Sequence, residues 1–157
     1  GSWDDDEPEV PVVPEEPGKE MIVIAGVDFN IDEELSVSGN EISVVDIQID
    51  AEKSIDKLEV EISSPVLSSE LLGSVGLSDH FDIANPDEQL KKNLIELGIL
   101  KEGDEIKGKT SHVFSVGNFM PALGFIGGIG YKNCFKLTVT DAAGNVMEKT
   151  LTVNLTE

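Results

Sequence analysis

A polar–apolar alternation runs twice through Tyr131 to Thr156, YKNCFKLTVTDAAGNVMEKTLTVNLT, and a β-hairpin is the structure that satisfies it. Phe135, Leu137 and Val139 alternate with Lys136, Thr138 and Thr140, and Leu151, Val153 and Leu155 alternate with Thr152 and Asn154. A period of two puts each apolar set on one face of a strand. Between the runs lies Asp141-Ala142-Ala143-Gly144-Asn145, where Gly144 supplies the positive φ that a short hairpin loop needs. A hairpin alone cannot bury its apolar face, so earlier segments must provide an opposing sheet.

Those segments are legible in order. Met21–Phe29 is a β-branched strand candidate interrupted by Gly26, a mark of a bulge or a change of sheet. Ile31–Glu41 reads as polar turn. In Ile42–Asp50, Val45, Ile47 and Ile49 are expected inward. Lys57–Ser63 is the cleanest alternation, with Leu58, Val60 and Ile62 inward and Glu59 and Glu61 outward. Residues 66–100 read as a helical insert. Ser68 and Ser69 open a short helical turn. Asn85 is expected to cap a longer helix with Pro86 in its first turn, Leu90, Leu94 and Leu97 on one face, and Gly98 closing it. Ser111–Val116 is a further strand, Asn118–Leu123 a helical turn, and Gly124–Gly130 a glycine-rich loop. Six or so strands, a terminal hairpin and no disulfide predict a mainly β fold over residues 21–157: an immunoglobulin-like β-sandwich with a short helical insert in the middle of the chain.

Charge narrows the partners. The formal charge is −20, from 31 Asp plus Glu against 11 basic residues, all of them Lys. Phosphate backbones and anionic membranes need basic patches, so no nucleic-acid or lipid-headgroup partner is expected. Cys134 is the single cysteine, which excludes an internal disulfide and a cysteine-based zinc site. No apolar run is long enough to span a bilayer. No signal peptide is visible, so the chain is expected to be cytosolic or a mature form whose leader has been removed. Residues 1–20 combine eight acidic residues with four prolines and read as an extended, acidic, proline-rich tether.

Chemical motifs are sparse. Asp79-His80-Phe81-Asp82 offers acid/base or metal-binding groups, and the alternative is a solvated loop. Ser78 lies beside Asp79 and His80 without a G-x-S-x-G elbow. His112 falls in a strand, outside any two-histidine helical spacing. Gly124–Gly130 lacks the Lys-Ser/Thr of a phosphate loop, and Asn133 stands where a dinucleotide fingerprint wants its third glycine. Asp141–Asn145 offers oxygens for calcium at a spacing unlike an EF-hand, so a turn is expected. No cofactor, metal or catalytic residue is expected. The candidate ligand-binding residues are Phe119, Phe125 and Tyr131, three aromatics around one glycine-rich loop in a chain only 5% aromatic. Exposed aromatics stack on sugar rings or anchor protein partners. Alternatively, Phe119 and Phe125 plug the open end of the sandwich.

Two stretches resemble known proteins. Leu137–Asn145 is similar to the last hairpin of bacterial immunoglobulin-like surface domains. Gly76-Leu77 with Phe81-Asp82, Leu97-Gly98, Gly108-Lys109-Thr110 and Phe119-Met120-Pro121 resembles an N-terminal domain of Bacteroidetes surface lipoproteins, and Ser2-Trp3-Asp4-Asp5-Asp6-Glu7 resembles the acidic export signal of that group. The resemblance implies a cell-surface, outer-membrane lipoprotein, or alternatively a periplasmic one. If Gly1 is an expression scar, the resemblance implies a lipidated cysteine in its place and membrane contact only through that lipid anchor; the alternative reading of the acidic run is an ordinary solvated tail. The expected function is that of a monomeric, non-enzymatic spacer or binding/adhesion module whose partner is a glycan or a surface protein. One alternative is a carbohydrate-binding module for neutral glycans; another is an acid/base hydrolase using Asp79 and Asp82.

Overall fold

The computed structural model describes residues 21–41, 43–103 and 105–157. The tether read at 1–20 lies outside the described residues. Among the described residues, eight strands and three α-helices follow one another in the order β1 (Ile22–Gly26), β2 (Leu35–Ser38), β3 (Asp46–Ala51), β4 (Ile55–Ser63), α1 (Ser69–Gly73), β5 (His80–Asp82), α2 (Glu88–Glu96), β6 (Ser111–Ser115), α3 (Met120–Phe125), β7 (Lys132–Asp141) and β8 (Val146–Thr156). A 3-10 turn at Val116–Phe119 leads into α3.

The alternating segments form strands because each can bury one parity. Val45, Ile47 and Ile49 of the β3 segment are buried, as are Leu58, Val60 and Ile62 of β4 and Phe135, Leu137 and Val139 of β7. β7 and β8 pair antiparallel from Thr140↔Val146 to Lys132↔Asn154. Gly144 closes the turn at φ 92°.

The arrangement of these strands corrects the expected immunoglobulin-like sandwich. The fold is mixed α/β and is built on two open sheets. One has three strands in the order β1-β3-β6; the other has five in the order β2-β8-β7-β4-β5. Immunoglobulin-type sheets are antiparallel. Here β2 joins β8 in parallel, Leu35↔Val153 through Ser38↔Thr156. The reason lies in Leu35-Ser36-Val37-Ser38. It sits inside the stretch read as turn, and its one deeply buried side chain, Val37, is carried on a strand whose ladder partner is the distant β8.

The 66–100 region is not purely helical, since β5 pairs with β4 between the two helices. Ser68 caps α1, its hydroxyl accepting from the Leu71 N–H at 3.2 Å. The cap of α2 is Asp87 and not Asn85: the Asp87 carboxylate accepts from the Leu90 N–H at 2.8 Å. A carboxylate there also matches the helix dipole. The Asn85 amide donates instead to the Asp56 carbonyl and to Asp82 Oδ2, each at 2.9 Å. Leu94 of α2 is fully buried, and Leu90 and Leu97 pack against the core at its margin. Gly98 follows at φ 80°, a helix-closing conformation that suits glycine.

Four phenylalanines join the sheets. The Phe119 ring stacks on Phe135 of β7 at 5.9 Å, and meets Phe114 of β6 at 5.9 Å and Phe81 of β5 at 6.2 Å edge-on. Phe114 belongs to the three-stranded sheet, and Phe81 and Phe135 to the five-stranded one.

Candidate functional site: an uncharged aromatic loop

From Val116 to Tyr131 the sequence contains no charged residue, in a chain where 27% of residues are charged. The structure folds this stretch into the 3-10 turn, α3 and the loop that enters β7. Met120 and Leu123 anchor α3 in the core. Pro121 sits in the first turn, where its missing N–H costs no hydrogen bond. Phe125 then ends the helix and faces solvent, 85% exposed.

The loop beyond Phe125 is pinned at both ends. The Gly128 N–H donates to the Leu123 carbonyl at 2.8 Å, and the Gly130 N–H to the Leu155 carbonyl at 2.8 Å. Tyr131 N–H donates to the Gly128 carbonyl at 3.2 Å, and its own carbonyl accepts from the Leu155 N–H at 3.1 Å. Asn133, fully buried, points its amide N–H groups at the carbonyls of Gly128 and Tyr131, at 3.4 and 3.3 Å. Gly124 lies so close to Gly39 that a Cβ on it would overlap the Gly39 carbonyl oxygen. Ile126 and Ile129 pack against the core from the loop. The apolar residues of the loop are thus divided. The isoleucines turn in; Phe125 and Tyr131, the latter 45% exposed, stay out.

The three candidate aromatics therefore separate. Phe119 is fully buried with its ring faces taken by other phenylalanines. Phe125 and Tyr131 flank the loop and are open to solvent. A pinned loop presents them without the ordering cost that a free segment would incur on binding.

The polar candidates are occupied by the fold. Asp82 Oδ1 accepts the N–H groups of Leu58 at 3.0 Å and Ala84 at 2.9 Å, and Oδ2 accepts from Asn85. Asp79 accepts the Ser69 hydroxyl at 2.9 Å. His80 Nε2 lies 3.9 Å from Glu59 on an exposed strand face. Ser78 donates its hydroxyl to the His80 carbonyl at 2.9 Å. Cys134 Sγ lies 3.6 Å from the Thr152 hydroxyl. The Asp141 carboxylate takes the N–H groups of Ala143 at 3.0 Å and Asn145 at 2.8 Å, and the Asn145 amide at 2.9 Å. Burial pushes the Asp141 carboxyl up, but these hydrogen bonds outweigh it and hold the group below its ordinary value. Among the described residues, no three His, Cys, Asp or Glu side chains converge as a metal site. No helix among the described residues is long and apolar enough to cross a membrane.

A second feature is not apparent from the sequence. A recess of about 380 Å³ runs between β6 and the Gly98–Lys101 loop, and its charged lining residues, Lys101 and Lys109, are both cationic. Three lysines at 101, 107 and 109 were the available signal, and their convergence with β6 depends on the path of the loop.

No family model, curated protein or solved structure matches the chain.

Proposed function

We propose that this domain is a non-enzymatic binding module of the cell surface whose ligand face is the loop between Phe125 and Tyr131. The observation that supports this reading over a plain spacer is the 85% exposure of Phe125 at the end of a helix whose other large side chains are anchored. A large apolar ring held in water on a pinned frame has no role in the core, and exposed aromatics of this kind mark contact sites. The cell-surface setting is supported by the resemblance of Ser2–Glu7, the Gly76 to Pro121 motifs and Leu137–Asn145 to bacterial surface proteins.

The uncharged stretch from Val116 to Tyr131 favours a second, narrower reading. A charged ligand would find no opposite charge within that stretch, and the chain's −20 charge repels anions. Neutral glycans fit both conditions, with Phe125 and Tyr131 as stacking platforms.

The test is a soluble glycan array with the wild-type chain beside a Phe125→Ala/Tyr131→Ala variant of matched melting temperature. Neutral-glycan binding that disappears in the variant supports the carbohydrate reading. Binding that survives in the variant removes the loop as the site. A blank array directs the search to surface proteins, with the same variant as the control in pull-downs.

A further inference from the structure

We propose that β6 accepts an extended acidic peptide as an added strand. The hydrogen-bond parity of β3 shows which groups are on offer. Val27 N–H donates to the Asp46 carbonyl and Glu52 N–H to the Met21 carbonyl, so even-numbered β3 residues bond toward β1. Ala51 N–H donates to the Thr110 carbonyl at 2.9 Å and Gly117 N–H to the Val45 carbonyl at 3.1 Å, so odd-numbered ones bond toward β6. Antiparallel ladders alternate bonded and non-bonded pairs. The bonded pairs with β6 are then Ile49↔His112 and Ile47↔Phe114, and the non-bonded ones are Asp50↔Ser111, Gln48↔Val113 and Asp46↔Ser115.

Ser111, Val113 and Ser115 consequently turn their backbone N–H and C=O groups away from β3. β6 is the last strand of its sheet. The same three residues line the recess of about 380 Å³, opposite Ile99 and Lys101, with Lys109 at one end. An edge strand beside a recess is the setting of β-augmentation, in which main-chain bonds give affinity and flanking side chains give selectivity.

Charge selects the occupant. No Asp or Glu stands among the described residues lining the recess, although the chain carries 31 of them. Its charged lining residues are Lys101 and Lys109, and Lys109 already has an interaction within the chain. An extended acidic segment would set a carboxylate against Lys101, and its intervening apolar residues would cover Val113, which is 45% exposed. The net charge of −20 repels such a peptide from a distance, but this is screened beyond about 8 Å at physiological salt, where contact pairs persist.

The probe is a fluorescein-labelled octapeptide of alternating glutamate and valine, titrated with the full chain at 0.15 M salt and read by anisotropy. The expected result is saturable binding, no binding of the lysine-for-glutamate peptide, and affinity about fivefold weaker in Lys101→Glu. Val113→Pro removes one outward N–H without touching a β3 bond and should abolish binding. An acidic peptide N-methylated at alternate residues should fail with the wild-type chain, which preserves the test if the proline variant does not fold. Absence of saturable binding overturns the proposal, as does equal binding of the lysine or N-methylated peptide. A wild-type dimer that Val113→Pro dissociates also overturns it, because β6 would then be pairing with a second copy.

Discussion

The Phe119 ring lies 5.9 Å from the Phe135 ring, with the two planes 13° apart. This near-parallel stack ties the turn before α3 to the central strand β7, and Phe114 and Phe81 close on Phe119 edge-on. The aromatic that leads into the exposed loop is thus the centre of the core, and the loop inherits its position from that stack.

Removing it should be costly. Phe119→Ala leaves a cavity between both sheets and should destabilise the fold by about 3–5 kcal/mol in urea unfolding. Phe125→Ala, at an 85% exposed position, should change stability by less than about 0.5 kcal/mol. Equal losses for the two would show that Phe125 is also structural.

The close approach of Gly124 to Gly39 is equally specific. Gly124→Ala drives a methyl group into the Gly39 carbonyl oxygen, which is backbone and cannot swing aside. Destabilisation of about 1–3 kcal/mol is expected in the same assay. Gly73→Ala, where a Cβ meets nothing within 4 Å, is the matched control and should be neutral or better.

Asp82 and Asp87 test structural against chemical roles. Asp87→Ala removes the cap of α2 and should cost about 1 kcal/mol. Asp82→Ala leaves the N–H groups of Leu58 and Ala84 without their acceptor and should cost about 1–3 kcal/mol. Thermal unfolding of both variants checks this. An Asp82→Ala chain of unchanged stability would reopen a chemical role for that carboxylate.

Acid should act through Asp141. Its carboxyl titrates below the ordinary value of 3.8, so between the two values the unfolded chain binds the proton and the folded one does not. The stabilisation is complete above the unfolded value and is lost as the pH falls through the folded one. Melting temperatures from pH 6 down to about 2 should therefore fall more steeply in wild type than in Asp141→Asn. Parallel curves for the two chains would show that the turn carboxylate contributes no pH-dependent term.

What the sequence makes legible is local. The parities of β3, β4, β7 and β8 are readable because each strand buries one face, and a period of two survives any choice of partner. The partition into two open sheets is not readable, since it depends on which distant strand each one meets. β2 illustrates this: Leu35-Ser36-Val37-Ser38 is too short and too polar to announce a strand, and its partner Val153–Thr156 lies far along the chain. The α2 cap lies two residues beyond Asn85 because Asn85 and Asp87 are both competent caps, and Asn85 is drawn away by Asp56 and Asp82. At the candidate site, clustering of aromatics around glycines was visible. Which ring turns inward was not, because that is decided by Phe81, Phe114 and Phe135, which converge from three separate strands.

The parallel pairing of Val37 with Leu155 also sets an order of events during synthesis. At about 5–20 residues per second, the ribosome takes on the order of ten seconds to deliver β8 after β2 has emerged. Throughout that interval β2 has no native strand partner, and the five-stranded sheet can form only as β4, β5 and β7. Val37 is then available to any other strand edge in the vicinity. A chaperone that shields residues 35–38 on the nascent chain would raise the yield of folded protein, and slowing elongation between β2 and β8 would lower it.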